Sequence, residues 1–178
     1  MDLDLNLWKD KVLIQRQNRL KTKFWSIFSE VGNRISESDQ LINFSESKGI
    51  KLSRGNDLVG FPYHVLDVIR NWKKDSGQNI RVLNWFGHGI FIFIYLGGER
   101  ISDHLNKSLE KQHFTKSDQS DPFDYPSIIL GSNDDNQIEN QENLFVWYKE
   151  IEIGNQKEEV EEEIFSQVNG LLQILANP

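Results

Sequence analysis

Residues 79–98 read Asn-Ile-Arg-Val-Leu-Asn-Trp-Phe-Gly-His-Gly-Ile-Phe-Ile-Phe-Ile-Tyr-Leu-Gly-Gly, and no other part of the chain is so rich in β-branched and aromatic residues. The seven apolar residues at 90–96 indicate a strand that is buried on both faces, because a helix of this length would be too short to stand alone. Residues 80–86 fit a second strand, and the Gly-His-Gly sequence at 87–89 separates the two. Because glycine supplies the positive φ that a three-residue loop needs, this pattern predicts an antiparallel β-hairpin.

The predicted loop also determines the register of this hairpin. A loop at 87–89 pairs Phe86 with Ile90, so that Trp85 and Phe91 meet on one face of the sheet. The other predicted pairs are Asn84 with Ile92, Leu83 with Phe93, Val82 with Ile94, Arg81 with Tyr95, and Ile80 with Leu96. The alternative is one long strand bent at the glycines, which is less favoured because strands usually contain about 5–6 residues.

Composition restricts the class of protein. The 178 residues are 38% hydrophobic, which suits one domain with its own core and is too apolar for a disordered chain. The longest apolar run has seven residues, far fewer than a bilayer span requires. The chain contains no cysteine, which excludes disulfide bonds, thiol catalysis and cysteine-ligated metal. The first residues lack the basic and apolar regions of a secretory signal, so we predict a cytoplasmic protein.

Charge is unevenly distributed along the chain, whose net charge is −7. Residues 1–35 contain seven Lys or Arg and four Asp or Glu, whereas residues 117–163 contain two Lys and fourteen Asp or Glu. The overall acidity argues against a duplex nucleic-acid binder, which needs a concentrated basic surface for phosphate contacts. The asymmetry fits surfaces that are complementary within the molecule or across a dimer.

The N-terminal segment, residues 1–46, is predicted to be helical. Apolar residues recur at three- and four-residue spacing within residues 4–35, which predicts a long amphipathic helix. The stripe consists of Leu20, Phe24, Ile27, Phe28, Val31 and Ile35, and Trp8, Val12 and Leu13 extend it upstream. The cations Lys9, Arg16, Arg19 and Lys23 lie mostly off this stripe and indicate either a solvated face or a surface for an acidic partner.

The same helix suggests a homodimer. Leu13, Leu20 and Ile27 follow each other at heptad spacing, which is typical of helices that pair. Gln17 and Arg34 interrupt this heptad, so the pattern is weaker than that of a regular coiled coil.

The rest of the chain is predicted to contain further helices and strands. Helices are predicted at 41–44, from Pro62 with a buried face at Val65, Leu66, Ile69 and Trp72, at 101–112, and from 156 onwards with a stripe at Val160, Ile164, Val168, Leu171 and Leu175. Strands are predicted at 50–53, 127–131 and 144–153, a turn at 54–57, and a mobile acidic loop at 132–143. Together these patterns predict a single α+β domain with a mostly antiparallel sheet of four or five strands. The long N-terminal and C-terminal helices and two shorter helices would cover one face.

Two places in the sequence suggest a functional site. His88 lies between two glycines, where an imidazole could act as acid, base or ligand near neutral pH, or could simply be exposed on a turn that the glycines shape. The second place is the helix predicted from residue 62, on which Tyr63, Asp67 and Arg70 would share a face and His64 would lie beside Asp67. The alternative there is an ordinary polar helix surface with a weak Asp67–Arg70 ion pair.

These observations lead to two main hypotheses of function. The favoured hypothesis is a non-enzymatic binding or protein-interaction domain for a protein or small-molecule ligand, with Tyr63, Arg70 and Trp85 as binding residues. The alternative is a small hydrolase-like enzyme in which His88 or His64 acts as general base, with Asp67 or Tyr63 in support. Nucleic-acid binding through the basic N-terminal helix is a third and less favoured hypothesis.

The sequence predicts neither a metal site nor a cofactor. None of the four histidines, at positions 64, 88, 104 and 113, belongs to a His-x-x-x-His pattern with glutamate. The chain also lacks a Gly-x-Ser-x-Gly elbow and a phosphate-binding loop.

Overall fold

The computed structural model describes residues 2–131 and 144–176. The helices are α1 (Leu5–Lys9), α2 (Lys11–Ser36), α3 (Asp103–Lys111), α4 (Tyr125–Leu130) and α5 (Lys157–Ala176), with 3₁₀ helices at Asp39–Phe44 and Gly98–Arg100. The strands are β1 (Lys51–Leu58), β2 (Phe61–Asn71), β3 (Gln78–Trp85), β4 (Gly89–Gly97), β5 (Thr115–Lys116) and β6 (Leu144–Ile151). The acidic loop predicted at 132–143 lies outside the described residues.

The strands form one antiparallel sheet in the order β1-β2-β3-β4-β6-β5. Strands β1 to β4 are neighbours in both sequence and space, as expected where consecutive strands are joined by short connections. Strand β6 pairs with the free edge of β4, and the short strand β5 pairs with β6. The predicted α+β class with an antiparallel sheet is confirmed, with six strands rather than four or five.

The central hairpin forms between β3 and β4, but its predicted register is wrong by two residues. The loop lies at 86–88, and Trp85 pairs with Gly89 rather than with Phe91. Gly87, with φ of 85°, supplies the left-handed residue of this loop. Because side chains alternate with a period of two, a two-residue shift leaves every side chain on its predicted face. Trp85 and Phe91 accordingly lie in the same buried cluster.

One face of the sheet is aliphatic and is covered by helices. Val82, Ile92 and Ile94 point to this face and pack with buried residues of α2, α3 and α5. The predicted stripe of the C-terminal helix is confirmed, because all five of its residues are buried in this cluster. Full burial of each such aliphatic side chain stabilises the fold by about 1.5–3 kcal/mol. This layer is therefore the main core of the molecule.

The opposite face is aromatic and has a thinner cover. Trp85, Phe93 and Tyr95 point to it and pack with Tyr125 and Ile128 of α4. The short helix α4 and the residues around it cover this side of the sheet, whereas long helices cover the other side. The strength of this cover depends on aromatic contacts and on one buried ion pair, which is described below.

Helix α4 replaces the strand that was predicted at 127–131. Asp124 caps it by accepting a hydrogen bond from the Ser127 amide, and Pro126 lies in its first turn. Gly131, with φ of 70°, ends the helix in the left-handed conformation. The strand prediction was wrong because these start and stop signals outweigh the short apolar run.

Strand β2 replaces the helix that was predicted to begin at Pro62. Residues 61–71 are extended and pair with both β1 and β3. The register with β3 skips Val68, so Val68 and Ile69 both reach the aliphatic face. This bulge interrupts the alternation of a strand and produces a spacing that resembles the period of a helix.

Two smaller differences concern the chain before β2. The predicted helix at 4–35 is divided, because Asp10 ends α1 and caps α2 by accepting a hydrogen bond from the Leu13 amide at 2.9 Å. The turn predicted at 54–57 is part of β1, and the chain turns at Val59 and Gly60, which both have positive φ.

Candidate interaction surface

Several connections meet at one end of the sheet, which we call the tip end. The β1–β2 and β3–β4 turns both lie there. Strand β6 ends at the same place, since Ile151 pairs with Ile90 at the start of β4. Phe24 of α2 packs against Phe86 of the β3–β4 turn, with ring centroids 5.7 Å apart. Helix α2 therefore passes the tip end at about residue 24.

Residues 3–23, which we call the arm, extend beyond the tip end. No residue of α1, and none of α2 before Ile27, is buried. At about 1.5 Å per residue, the part of α2 within the arm is about 20 Å long. Trp8 is 70% exposed, Val12 65% and Leu20 48%. Contiguous apolar surface of this kind is typical of an interaction site rather than of a free monomer surface.

The arm continues the apolar stripe that anchors α2 in the core. Ile27, Val31 and Ile35 are buried against the sheet and α5. Leu20 and Leu13 precede Ile27 by one and two heptads and therefore lie on nearly the same side of the helix. The stripe thus keeps its pattern where the helix leaves the body of the protein, but nothing in the described residues buries it there.

The tip end of the sheet adds further apolar surface at the root of the arm. Val59 and Phe61 flank the β1–β2 turn, and Ile153 follows β6. All three are among the exposed large apolar residues of the described chain. Most of that exposed set belongs to the arm or to the tip end, and the exceptions are Ile42, Phe123, Leu130 and Phe145. The uncovered apolar surface is therefore concentrated in one region.

Charge separates the arm from the body beside it. The arm carries the cations Lys9, Lys11, Arg16, Arg19, Lys21 and Lys23, and α2 has no acidic residue before Glu30. The exposed carboxylates at the end of β6 and the start of α5, which we call the acidic corner, are Glu150, Glu152, Glu158 and Glu159. None of these four forms a salt bridge with another described residue. The region thus presents a basic projection next to an acidic surface.

His64 lies at the root of the arm, on the aliphatic face. Its ring is 5.5 Å from that of Trp25 and 5.1 Å from that of Phe86, and the residue is 3% exposed. Burial, reinforced by the positive charges of Arg54 and Lys21, lowers the pKa of His64 from 6.5 to about 4. The imidazole is therefore neutral at pH 7 and a weak base, and it packs between the rings of Trp25 and Phe86.

His88 lies in the β3–β4 turn and stacks on Trp85. The two ring centroids are 3.6 Å apart and the planes differ by 9°. The edge of Phe61 contacts the same imidazole, with centroids 4.8 Å apart. The indole of Trp85 is buried and donates a hydrogen bond to the carbonyl of Leu58 at 3.1 Å. Trp85 thus supports the β3–β4 turn.

The two histidines pack on opposite faces of the sheet. His64 contacts Phe28 of the aliphatic core, whereas His88 stacks on Trp85 of the aromatic cluster. A general base and the group that it serves must lie within about 3 Å or be bridged by one water. The sheet separates the two imidazoles, so they do not form a common catalytic arrangement.

Asp67 is paired with Arg81 and not with Arg70. The carboxylate accepts a hydrogen bond from Arg81 Nε at 2.6 Å, and both side chains are largely buried. Arg81 also donates to the hydroxyl of Tyr125, which is hydrogen bonded to Tyr95 at 3.3 Å. Burial opposes the charge of Arg81, but the hydrogen bond to Asp67 and the charges around it raise its pKa. This buried network attaches α4 to the aromatic face of the sheet.

Tyr63 and Arg70 lie near opposite ends of β2, roughly 20 Å apart along the strand. Tyr63 pairs with Trp85 near the tip end, and its ring covers Gly55, where an added Cβ would be 2.3 Å from Tyr63 Cε1. The backbone N–H of Arg70 donates to the hydroxyl of Ser47 at the other end of the sheet. The structure therefore brings Tyr63 and Trp85 together but places Arg70 elsewhere.

A cavity of about 240 Å³ lies at the end of the sheet opposite the tip end. Its lining includes Glu46, Asn71, Gln78 and Arg100. The amide of Asn71 donates to Glu46 at 3.1 Å, and that of Gln78 donates to the carbonyl of Leu175 at 3.4 Å. Some of the polar groups of this cavity are therefore already hydrogen bonded within the protein.

The tip end could not be assembled from the sequence, because only the strand order brings Val59, Phe61 and Ile153 to the same end of the sheet. The one signal available was the run of cations without acidic residues over 11–29. No group of three or more His, Asp or Glu within residues 2–131 and 144–176 is arranged to hold a metal ion.

Comparison with protein-family models, with curated proteins and with solved structures finds no match for this chain. Within the part of the chain that the structure describes, no helix combines the length and the apolar character needed to cross a bilayer.

Proposed function

We propose that this protein is a non-enzymatic interaction domain that binds a second copy of itself through the arm. The observation that carries the proposal is the uncovered continuation of the α2 stripe, in which Leu13, Leu20 and Val12 repeat the pattern of the buried half. Burying such side chains removes apolar surface from water, which is the main driving force of association.

The choice of partner follows from charge. A basic arm requires an acidic receptor, because opposite potentials steer and stabilise association. The same chain provides one in the acidic corner, whose carboxylates lie beside exposed Ile153. Homodimer formation therefore satisfies both the apolar and the electrostatic requirements without another protein.

The enzymatic alternative has less support. His88 and His64 lie on opposite faces of the sheet, and the buried carboxylate of Asp67 is occupied by Arg81. An enzyme that uses either histidine as general base would therefore need its other catalytic residues to be different from these three.

Sedimentation equilibrium tests the proposal. We expect a mass of twice the 20.8 kDa chain at micromolar concentration. The double variant Val12→Asp with Leu20→Asp should weaken the dimer by more than about 100-fold, because two buried apolar contacts become buried charges. Circular dichroism would verify that the variant is folded.

A matched control uses exposed apolar residues outside this region. Ile42 and Leu130 are 71% and 60% exposed, and the double variant Ile42→Asp with Leu130→Asp should associate like the wild type. A monomeric wild type at about 100 μM, or equal weakening by both double variants, would refute the proposal.

A further inference from the structure

We infer that the two arms of the dimer run antiparallel and that each arm ends against the acidic corner of the other copy. This inference rests on the proposed self-association and specifies its interface. It assigns to the acidic corner the role of binding the arm of the other copy. In the sequence, the same residues are recognisable only as a cluster of negative charges.

The direction of the arms follows from the positions of their charges. In a parallel pair, Arg16 and Arg19 of each arm would lie beside the same residues of the partner, with no acidic residue of α2 nearby to compensate. Like charges placed together in this way destabilise helix pairs. In the register given below, an antiparallel pair separates the two copies of Lys9, Lys11 and Lys23 along the helix axis, whereas Arg16 stays near its own copy at the two-fold axis.

The register follows from the apolar residues. Placing Leu13 of one arm opposite Leu20 of the other joins the half-buried and the exposed leucine of the heptad in both halves of the pair. The same register places Asp10 opposite Lys23, which is a pair of opposite charges. Apolar and ionic contacts therefore favour the same alignment.

This register brings the start of each arm to the tip end of the other copy. Lys9 then lies level with the partner position of Phe24, the residue that packs on the β3–β4 turn. Trp8 and Lys11 approach the same end, where Glu150, Glu152 and Ile153 are exposed. Cations thus meet carboxylates, and an exposed indole meets exposed apolar surface.

An arm cannot reach its own acidic corner. Helix α2 leads away from the tip end, so that Lys11 lies about 20 Å beyond Phe24 along the helix axis. Only the arm of another molecule, running in the opposite direction, brings this part of the chain back to the corner.

Charge reversal tests the inference. The arm variant carries Lys9→Glu with Lys11→Glu, and the corner variant carries Glu150→Lys with Glu152→Lys. Each should raise its dimer dissociation constant at least tenfold at low salt, because like charges would then face each other. An equimolar mixture of the two variants should restore association to within about threefold of the wild type, since both contacts become complementary again.

A corner variant that dimerises as tightly as the wild type would overturn the inference and leave the proposed self-association intact. A wild type that remains monomeric would instead remove the proposed function. The two failures are therefore distinguishable in the same sedimentation experiment.

Disulfide trapping provides a second, geometric readout. Because the chain contains no cysteine, single cysteines can be introduced without interference. Mixing Lys11→Cys with Ile153→Cys should give a disulfide-linked pair under mild oxidation. Mixing Lys11→Cys with Ile42→Cys should not, because Ile42 follows the far end of α2. Equal trapping in both mixtures would contradict the arm-to-corner contact.

Discussion

The two halves of α2 have the same pattern of side chains and opposite environments. Phe28 and Val31 in the second half are fully buried between the sheet and α5, whereas Leu13 and Leu20 in the first half are outside any cluster of buried residues. Because both halves are amphipathic, their difference in burial depends on which other elements lie close enough to pack against each half. The comparison shows that an amphipathic pattern specifies a face to be covered but not the element that covers it.

The largest expected difference between the halves concerns stability. Phe28→Ala should lower the free energy of unfolding by about 3–5 kcal/mol, because it leaves a cavity in the aliphatic core. Leu20→Ala should lower it by less than about 0.5 kcal/mol when the protein is monomeric. Urea unfolding at low protein concentration measures both. A similar loss for the two variants would show that the arm is packed against its own body.

A second difference concerns pH, because His64 lies at the boundary between the halves, against Trp25 and Phe28. Its pKa is about 4 in the folded protein and about 6.5 in the unfolded chain. As the pH falls below 6.5, the unfolded state binds a proton first and the folded state loses stability, by up to about 3 kcal/mol at pH 4.

Unfolding measured between pH 7.5 and pH 5 checks this expectation. His64→Leu should remove most of the decline in stability over that range, whereas His104→Leu, at an exposed position of α3, should leave it unchanged. An identical pH profile for wild type and His64→Leu would show that His64 is solvated.

The smallest expected difference is the gain in stability from replacing a helical glycine by alanine, in the buried half of α2 and in α5. An added Cβ at Gly170 would meet no atom within 4 Å, so Gly170→Ala should stabilise the protein by about 0.5–1 kcal/mol and raise Tm by about 2–4 °C. An added Cβ at Gly32 would lie 3.3 Å from Leu66. Gly32→Ala should therefore stabilise the protein less than Gly170→Ala, or not at all. Equal increases in Tm for the two variants would indicate that α2 packs more loosely than in this structure.

The sequence was most informative where burial is high on both faces. The run at 90–96 could only be an interior strand, and its faces were predicted correctly even though the register was not, because side chains alternate with a period of two. The stripe from Val160 to Leu175 was equally clear, since a single face of α5 is buried. In both cases the local pattern and the tertiary environment agree.

Sequence reasoning was wrong where a tertiary feature disturbs the local pattern. The bulge at Val68 gave β2 an apparent helical spacing. That error changed the predicted site, because it paired Asp67 with Arg70 on a helix instead of with Arg81 on the adjacent strand. His64 and His88, which the sequence offered as alternative general bases, lie on opposite faces of the sheet.

The order of apolar, polar and charged residues by itself determined the α+β class, the hairpin, the faces of its strands and the amphipathic nature of the terminal helices, because these depend on periodicity alone. Only the tertiary structure decided that half of α2 is uncovered, that it projects from the end of the sheet where Val59 and Ile153 both lie, and that the acidic corner lies at that same end. The physical reason is that burial depends on which surfaces meet in space, and no local pattern contains that information.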